Sequence, residues 1–195
     1  MTRENNNIGL FFGSFNPIHI GHMIIANWFV EYTDLDKVWF VVSPQNPFKE
    51  KKSLLADHHR LALVREAIED DSRFWVTDIE FGMPQPSYTI DTLTYLEEKY
   101  PDKNFVLLAG SDQLPSFEKW KNPNRILELY KMYVYARPGF KGSKYEKHPS
   151  VQVFRTPLME ISSTFIRKSI AEGKDMRYML PEKVWKYMRD MHFYE

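Results

Sequence analysis

The chain has 195 residues, 43% of them hydrophobic and 15% aromatic, which is enough for one domain spanning 1–195 to bury a full core. Its 26 basic and 26 acidic residues cancel, so we expect neither a nucleic-acid surface nor an anionic-membrane surface. Cysteine is absent, which excludes disulfides and thiolate chemistry. No apolar stretch approaches the roughly 18 residues of a membrane span, and a cytoplasmic protein is therefore expected.

Short runs rich in β-branched and aromatic residues alternate with longer amphipathic runs. The predicted order is strand 8–12, a helix near 21–32, strand 38–43, helix 57–68, strand 74–81, a helix near 90–100, strand 104–110, a helical or irregular stretch to 130, and strand 132–138. This βαβα order predicts an α/β fold, a doubly wound and mostly parallel sheet with helices on both faces.

Two C-terminal helices are predicted after the last strand. The run 161–173 has serines suited to an N-cap and Gly173 suited to a C-cap, and the run 181–191 has Pro181 in its first turn. Val184, Met188 and Met191 share one face of the last helix, which predicts core packing. Three long or breaker-rich connections, 43–56, 82–87 and 137–150, are either binding loops or plain solvated connectors.

The run GSFNPIHIGH, from Gly13 to His22, directly follows the first predicted strand and leads into the first predicted helix. In open α/β sheets this junction is where ligands bind, and the start of a helix adds free N–H groups and a positive dipole end, which suit phosphate. Neither GxxxxGK[ST] nor GxGxxG is present, so another phosphate site is needed. His19 and His22, three residues apart, can point toward one anion, and as imidazolium they would neutralise developing negative charge.

Two other interpretations of these histidines stay open. Each could be an ordinary polar residue at a surface or core edge. A zinc site that also uses His58 and His59 is the second alternative, although no HExxH or comparable ligand spacing is present.

The run ISSTFIR, from Ile161 to Arg167, is the second informative segment. Its hydroxyls and open backbone amides would lie at a helix N-terminus, and Arg167 follows within about one and a half turns. Such a segment can bind phosphate, although a serine pair before an amphipathic helix is more often only a cap.

Together the two runs resemble the nucleotidyltransferase superfamily that carries an HxGH motif and a closing ISSTxIR motif. Within it, the chain resembles the nicotinate-nucleotide adenylyltransferases of bacterial type over nearly its whole length. The resemblance implies a Rossmann-like nucleotidyltransferase fold with C-terminal helices. It also implies a role in NAD biosynthesis, namely transfer of AMP from ATP to nicotinic acid mononucleotide with release of pyrophosphate. Mg²⁺ would arrive with ATP, without dedicated metal ligands.

Intermediate segments match the family in the right order. SPQNPFK, residues 43–49, ends in the basic Lys49, although Asn46 and Phe48 stand where proline and histidine are common. The run ADHHRLALV, with His59 and Arg60, also matches, but a solvated helix face is its favoured interpretation. SYTIDTL, residues 87–93, resembles the substrate segment, and LLAGSDQLPSFEKW, residues 107–120, resembles the fourth strand and its loop, with Ser111 where alanine is usual.

For the nucleotide, we assign His22 to the α-phosphate and His19 to the neighbouring phosphates, and count both with Arg167 as catalytic. Asp112 would lie near ribose hydroxyls or the metal-nucleotide, unless it only caps the next helix. The remaining ATP-binding candidates are the backbone of Gly13, Ser14 and Phe15, and the amides and hydroxyls of Ser162, Ser163 and Thr164 with Arg167.

For the acceptor, Trp120 would stack on the cationic pyridinium ring, with a plain core aromatic as the alternative. Tyr88 and Thr89 would donate hydrogen bonds to the nicotinate carboxylate. Lys49 and Arg137 are candidates for phosphate contacts.

Four rival functions remain. Nicotinamide mononucleotide or phosphopantetheine would keep the chemistry and change the acceptor, and His19 favours nicotinate because both rival families tend to carry threonine there. A non-catalytic ATP-binding module and a histidine-metal hydrolase belong to other classes. The sequence leaves the oligomeric state open, a homo-oligomer included.

Overall fold

The computed structural model describes residues 6–44, 54–139 and 142–195. Within these ranges the strands are β1 (Asn7–Gly13), β2 (Lys37–Val42), β3 (Phe74–Thr77), β4 (Asn104–Gly110), β5 (Lys131–Tyr135) and β6 (Val151–Phe154). The α-helices are α1 (Ile20–Tyr32), α2 (Asp57–Ile68), α3 (Thr89–Lys99), α4 (Pro123–Leu129), α5 (Ser163–Ala171) and α6 (Glu182–Asp190). Short 3-10 helices cover Ile79–Gly82, Ser111–Lys119, Lys144–Lys147 and Arg177–Met179.

The six described strands form one sheet in the order β3-β2-β1-β4-β5-β6, and every neighbouring pair is parallel. The predicted doubly wound α/β sheet is therefore confirmed. The order reverses between β1 and β4, and the crevice beyond the carboxyl ends of these two strands is where such sheets bind ligands. Gly13 ends β1 opposite Val42, and Gly110 ends β4 opposite Tyr135.

The sheet is covered on both faces because alternate residues of its central strands are apolar in both directions. On β2, Val38 and Phe40 point into a core shared with α1, α2, α5 and α6, whereas Trp39 and Val41 point into a core shared with α3 and α4. Val184 and Met188 of α6 lie in the first core, as predicted. Met191 does not, because α6 ends at Asp190 and leaves this side chain 43% exposed.

The local end signals of α5 are also confirmed. The Ser162 hydroxyl accepts a hydrogen bond from the Phe165 N–H at 3.2 Å, so Ser162 is the N-cap. Gly173 has a φ of +75°, which glycine adopts without a Cβ penalty, and its N–H donates to the Ile170 carbonyl at 2.8 Å.

Two strand predictions need correction. The predicted strand 74–81 ends at Thr77 and continues as a 3-10 helix, and β6 was not predicted at all. β6 has only four residues at the sheet edge, and two of them are exposed, so its apolar pattern is too weak to detect. Within the described ranges, no helix combines the length and apolar character needed to cross a bilayer.

Candidate active site

The turn that leaves β1 is tightly packed around Phe15. This residue has a φ of +44°, a left-handed conformation that is costly for a bulky side chain. Its ring lies edge-on to Phe11 and Phe40, with centroid distances of 6.0 and 5.5 Å. It also folds back onto Gly13, where an added Cβ would lie 2.8 Å from the ring. Glycine at position 13 therefore permits the turn, and the ring packing holds it.

The two motif histidines lie at the start of α1, and their rings stack on each other. His19 is the N-cap and His22 lies in the first turn, with ring centroids 3.7 Å apart and planes 28° apart. The His19 backbone N–H donates to the His22 Nδ1 at 3.2 Å. Since this nitrogen accepts, the proton of a neutral His22 ring lies on Nε2.

The charge state expected for His19 needs correction. Its side chain is only 5% exposed, and burial lowers its pKa to about 4, helped by the positive charge of Arg137. The ring is therefore neutral at pH 7, so it is not the imidazolium that the sequence suggested. Among the described side chains, its Nδ1 is one of three buried polar atoms without a hydrogen-bond partner.

A small cavity lies beside the two histidines. It has a volume of about 20 Å³ and is lined by both rings, by Arg137 and by residues of the segment before α5, among them Met159 and Ile161. Ligand pockets for small molecules commonly measure roughly 300 Å³ or more. This cavity is therefore too small to enclose a ligand of that size.

Arg137 and Asp112 connect the carboxyl ends of β5 and β4. The Arg137 Nε lies 3.5 Å from the Asp112 Oδ1, and its guanidinium lies 5.6 Å from the centroid of the Tyr135 ring. The Arg137 backbone N–H donates to the Ser111 hydroxyl at 2.8 Å, so serine in place of the usual alanine adds a specific bond. Both predicted residues thus lie at the crevice, and they neutralise each other in part.

The structure brings the two sequence motifs together. Arg167 of α5 donates from Nη1 to the Asn16 carbonyl at 2.8 Å, and the Ser163 hydroxyl donates to the Pro17 carbonyl at 2.9 Å. Thr164 follows in the first turn, and its hydroxyl lies 3.4 Å from the Arg167 Nη2. The hydroxyls of Ser162 and Ser163 are thus used within the protein. In the first turn, the Phe165 N–H is used by the Ser162 hydroxyl, whereas the N–H groups of Ser163 and Thr164 have no acceptor inside the helix.

The residues predicted to bind the acceptor lie on α3 and after β4. Tyr88 is the N-cap of α3 and Thr89 its first residue, while Trp120 ends the 3-10 helix Ser111–Lys119. Lys121 joins the two segments, because its Nζ lies 5.0 Å from the centroid of the Tyr88 ring and pairs with Asp91 of α3 at 2.8 Å. Lys49 lies outside the described residues.

Arg60 lies in a different environment from the one predicted from the sequence. The expected solvated position on α2 is wrong, because its side chain is fully buried. Its guanidinium donates to the carbonyls of Ser14 and Ser43 at 2.6 and 2.8 Å. It pairs with the Asp57 carboxylate at 2.6 Å. Two further hydrogen bonds go to the carbonyls of Pro44 and Leu55. It thereby ties the ends of β1 and β2 to the start of α2. The family match of its segment was the signal that could have identified it.

Glu80 was also missed. This carboxylate is 2% exposed and accepts hydrogen bonds from the hydroxyls of Ser87 and Thr92 at 2.9 and 2.7 Å. The two hydroxyls flank Tyr88 and Thr89, so Glu80 fixes the start of α3. The hydroxyls of Ser87 and Thr92, five residues apart, were the available signal in the sequence. Their partner, Glu80, lies outside the segment 87–93 that resembles the family.

The other histidines considered for zinc lie elsewhere. His58 and His59 are neighbours on α2, with ring centroids 4.1 Å apart, and the His59 ring packs 4.8 Å from that of Phe193. In the part of the chain that the structure describes, no three histidine, aspartate or glutamate side chains are grouped so as to hold a metal ion.

The cytidylyltransferase-like family model matches residues 10–169. This match, together with the fold, identifies the chain as a nucleotidyltransferase. One relative, the "Probable nicotinate-nucleotide adenylyltransferase" of Christiangramia forsetii, is 50% identical over 193 residues, covering 98% of this chain and 100% of the relative. A protein of the same name from Cytophaga hutchinsonii is 49% identical over 187 residues, covering 96% and 97%. The chain belongs to the nicotinate-nucleotide adenylyltransferase family.

A solved structure supports the fold. The Plasmodium falciparum nicotinic acid mononucleotide adenylyltransferase complexed with NaAD has a TM-score of 0.82 and 21% sequence identity, and 97% of each chain is covered. This likeness extends through the C-terminal helices as well as the sheet.

Proposed function

We propose that the protein transfers the AMP part of ATP to the phosphate of nicotinic acid mononucleotide, forming nicotinic acid adenine dinucleotide and pyrophosphate. The observation that carries this proposal is the contact between the two motifs. Helix α5, which contains most of the second motif, is hydrogen-bonded to residues 16–17 of the first motif, and these residues lie between the turn at 13–15 and the two histidines. The choice of acceptor is supported by the family, whose members cited above are named for the nicotinate nucleotide.

The chemistry makes one P–O bond and breaks another at the α-phosphorus of ATP. The acceptor is a phosphomonoester with a second pKa near ~6, so its oxygen is largely anionic at neutral pH and needs no general base. The protein must therefore align the two substrates and stabilise the negative charge that builds on the α-phosphoryl oxygens and the departing pyrophosphate.

We assign His22 to the α-phosphate, because it lies in the first turn of α1, where the helix dipole favours an anion. His19, buried and neutral, supports the His22 ring by stacking and donates to the neighbouring phosphates. We assign Arg167, together with the first-turn amides of α5, to the β- and γ-phosphates, where its guanidinium would supply positive charge. The backbone of 13–15 faces the nucleotide.

For the acceptor, we assign the face of Trp120 to the cationic pyridinium ring. Tyr88 and Thr89, fixed by Glu80, are assigned to the nicotinate carboxylate, which accepts hydrogen bonds more strongly than a carboxamide oxygen does. Lys49 and Arg137 remain candidates for the phosphate.

We propose that ATP binds as its magnesium complex, in which the ion would neutralise part of the phosphate charge. An ion carried in this way needs no protein cage. The exposed carboxylate of Asp112, beside Arg137 at the crevice, is the group that we assign to the metal-nucleotide or to the ribose hydroxyls. The cysteine-free composition suits a reducing compartment, and we assign the reaction to the cytoplasm.

The test is pyrophosphate release from magnesium-ATP with nicotinic acid mononucleotide, nicotinamide mononucleotide and phosphopantetheine in parallel. We expect the highest kcat/KM with the nicotinate acceptor. A preference for either other acceptor would reassign the substrate. Release without any acceptor, together with stoichiometric zinc after dialysis, would indicate a metal hydrolase, and ATP binding with no release would indicate a binding module.

A further inference from the structure

The chain after α6 turns back toward the proposed nucleotide site. His192 and Tyr194 have left-handed φ values of +52° and +67°, and the Phe193 N–H donates to the Met188 carbonyl at 3.0 Å. The Phe193 ring packs between the rings of His59 and Tyr187. These contacts direct the side chain of Tyr194 toward the turn after β1, where its hydroxyl donates to the Asn16 Oδ1 at 2.6 Å.

Asn16 is the point at which three distant segments converge. It is 3% exposed, and its Oδ1 also accepts from the Leu55 N–H at 3.2 Å. Its carbonyl accepts from Arg167, as described above. The segment after β2, the helix α5 and the C-terminal tail therefore all hold this one residue, which directly follows the left-handed Phe15.

The phenol of Tyr194 is suited to act as a permanent donor. Burial raises its pKa, although the charges of Arg167 and Arg60 act in the opposite direction. The hydroxyl therefore stays protonated through the physiological range. It donates its hydrogen bond to the Asn16 amide oxygen.

We infer that Tyr194 is a positioning residue for nucleotide binding: by fixing Asn16 it keeps the backbone of Phe15 in the conformation that presents residues 13–15 to ATP. A left-handed bulky residue persists only where its surroundings hold it, and Tyr194 supplies part of that hold. The inference rests on the proposed function, in which the backbone of 13–15 binds ATP. Tyr194 itself touches no substrate.

The experiment compares Tyr194→Phe with a matched control, Tyr187→Phe. Both lose one hydroxyl in the same C-terminal region, but the Tyr187 hydroxyl contacts the His59 Nδ1 at 3.4 Å and not Asn16. The dissociation constant of ATP is measured by calorimetry without acceptor, followed by the KM of each substrate and the thermal midpoint. A third variant ends at Phe193.

We expect Tyr194→Phe to weaken ATP binding about two- to ten-fold, the range of one net hydrogen bond, with no change in the KM of the acceptor. The truncated variant should lose at least as much, and Tyr187→Phe should bind ATP as the wild type does. Equal ATP affinity in Tyr194→Phe and the wild type, or equal weakening by Tyr187→Phe, would overturn the inference. A wild type that binds ATP but releases no pyrophosphate with the nicotinate acceptor would refute the proposed function alone, because the ATP affinities still test Tyr194.

Discussion

The buried, neutral His19 predicts a specific dependence of stability on pH. Its pKa is about 4 in the folded protein, against about 6.5 for an ordinary histidine in the unfolded chain. The unfolded state therefore binds more protons between these two values, and stability is lost as pH falls through that window. The full difference corresponds to about 3.4 kcal/mol, of which about 2 kcal/mol falls between pH 7 and pH 5.

The perturbation is His19→Asn, because asparagine removes the titrating ring and is a favoured N-cap residue for α1. Urea unfolding of the wild type and the variant at pH 7, 6 and 5 gives the free energy of unfolding for each. We expect the wild type to lose about 2 kcal/mol more than the variant between pH 7 and 5. Titrating groups that do not interact with His19 cancel in this difference.

A titration of the His19 ring protons by NMR provides the second measurement and should have its midpoint near pH 4. Parallel pH dependences of the two proteins, or a midpoint near 6.5, would show that the ring is solvated or charged and that the neutral donor role is mistaken.

Three further substitutions test the site. His22→Ala should lower kcat by about 10² or more in a protein that still unfolds cooperatively, since it removes a donor to the transition state; near-normal turnover would refute the assignment. Trp120→Ala should raise the KM of the mononucleotide more than that of ATP, and equal changes would argue against stacking. Arg60→Met should lower the free energy of unfolding by about 3 kcal/mol or more, because four carbonyls and Asp57 lose their donor. The exposed Arg65→Met on the same helix should change it by no more than about 0.5 kcal/mol.

The sheet was predictable because its strands carry an unusually plain signal. β1, β2 and β4 are buried on both faces, so each appears in the sequence as a continuous apolar run between breakers. β6 lies at the edge and lacks that run. Local end signals were equally readable, as Ser162 and Gly173 illustrate, because caps depend on neighbours within a few residues.

The candidate site was only partly predictable. The sequence placed His19 and His22 at the start of a helix, and the stacking and hydrogen bond between them follow from that spacing. The charge of His19 could not be predicted, since it depends on burial and on Arg137, 118 residues away in the chain. The same holds for Arg60, whose burial is set by carbonyls at the ends of two separate strands.

The hydrogen bonds that hold Asn16 span most of the chain. Arg167 is 151 residues away and Tyr194 is 178 residues away. During synthesis from the N-terminus, both histidines and the whole sheet therefore emerge before the groups that fix the turn beside them. Only a chain synthesised as far as Tyr194 can form both of these hydrogen bonds, and a product cut short before Arg167 would carry the two histidines without either of them.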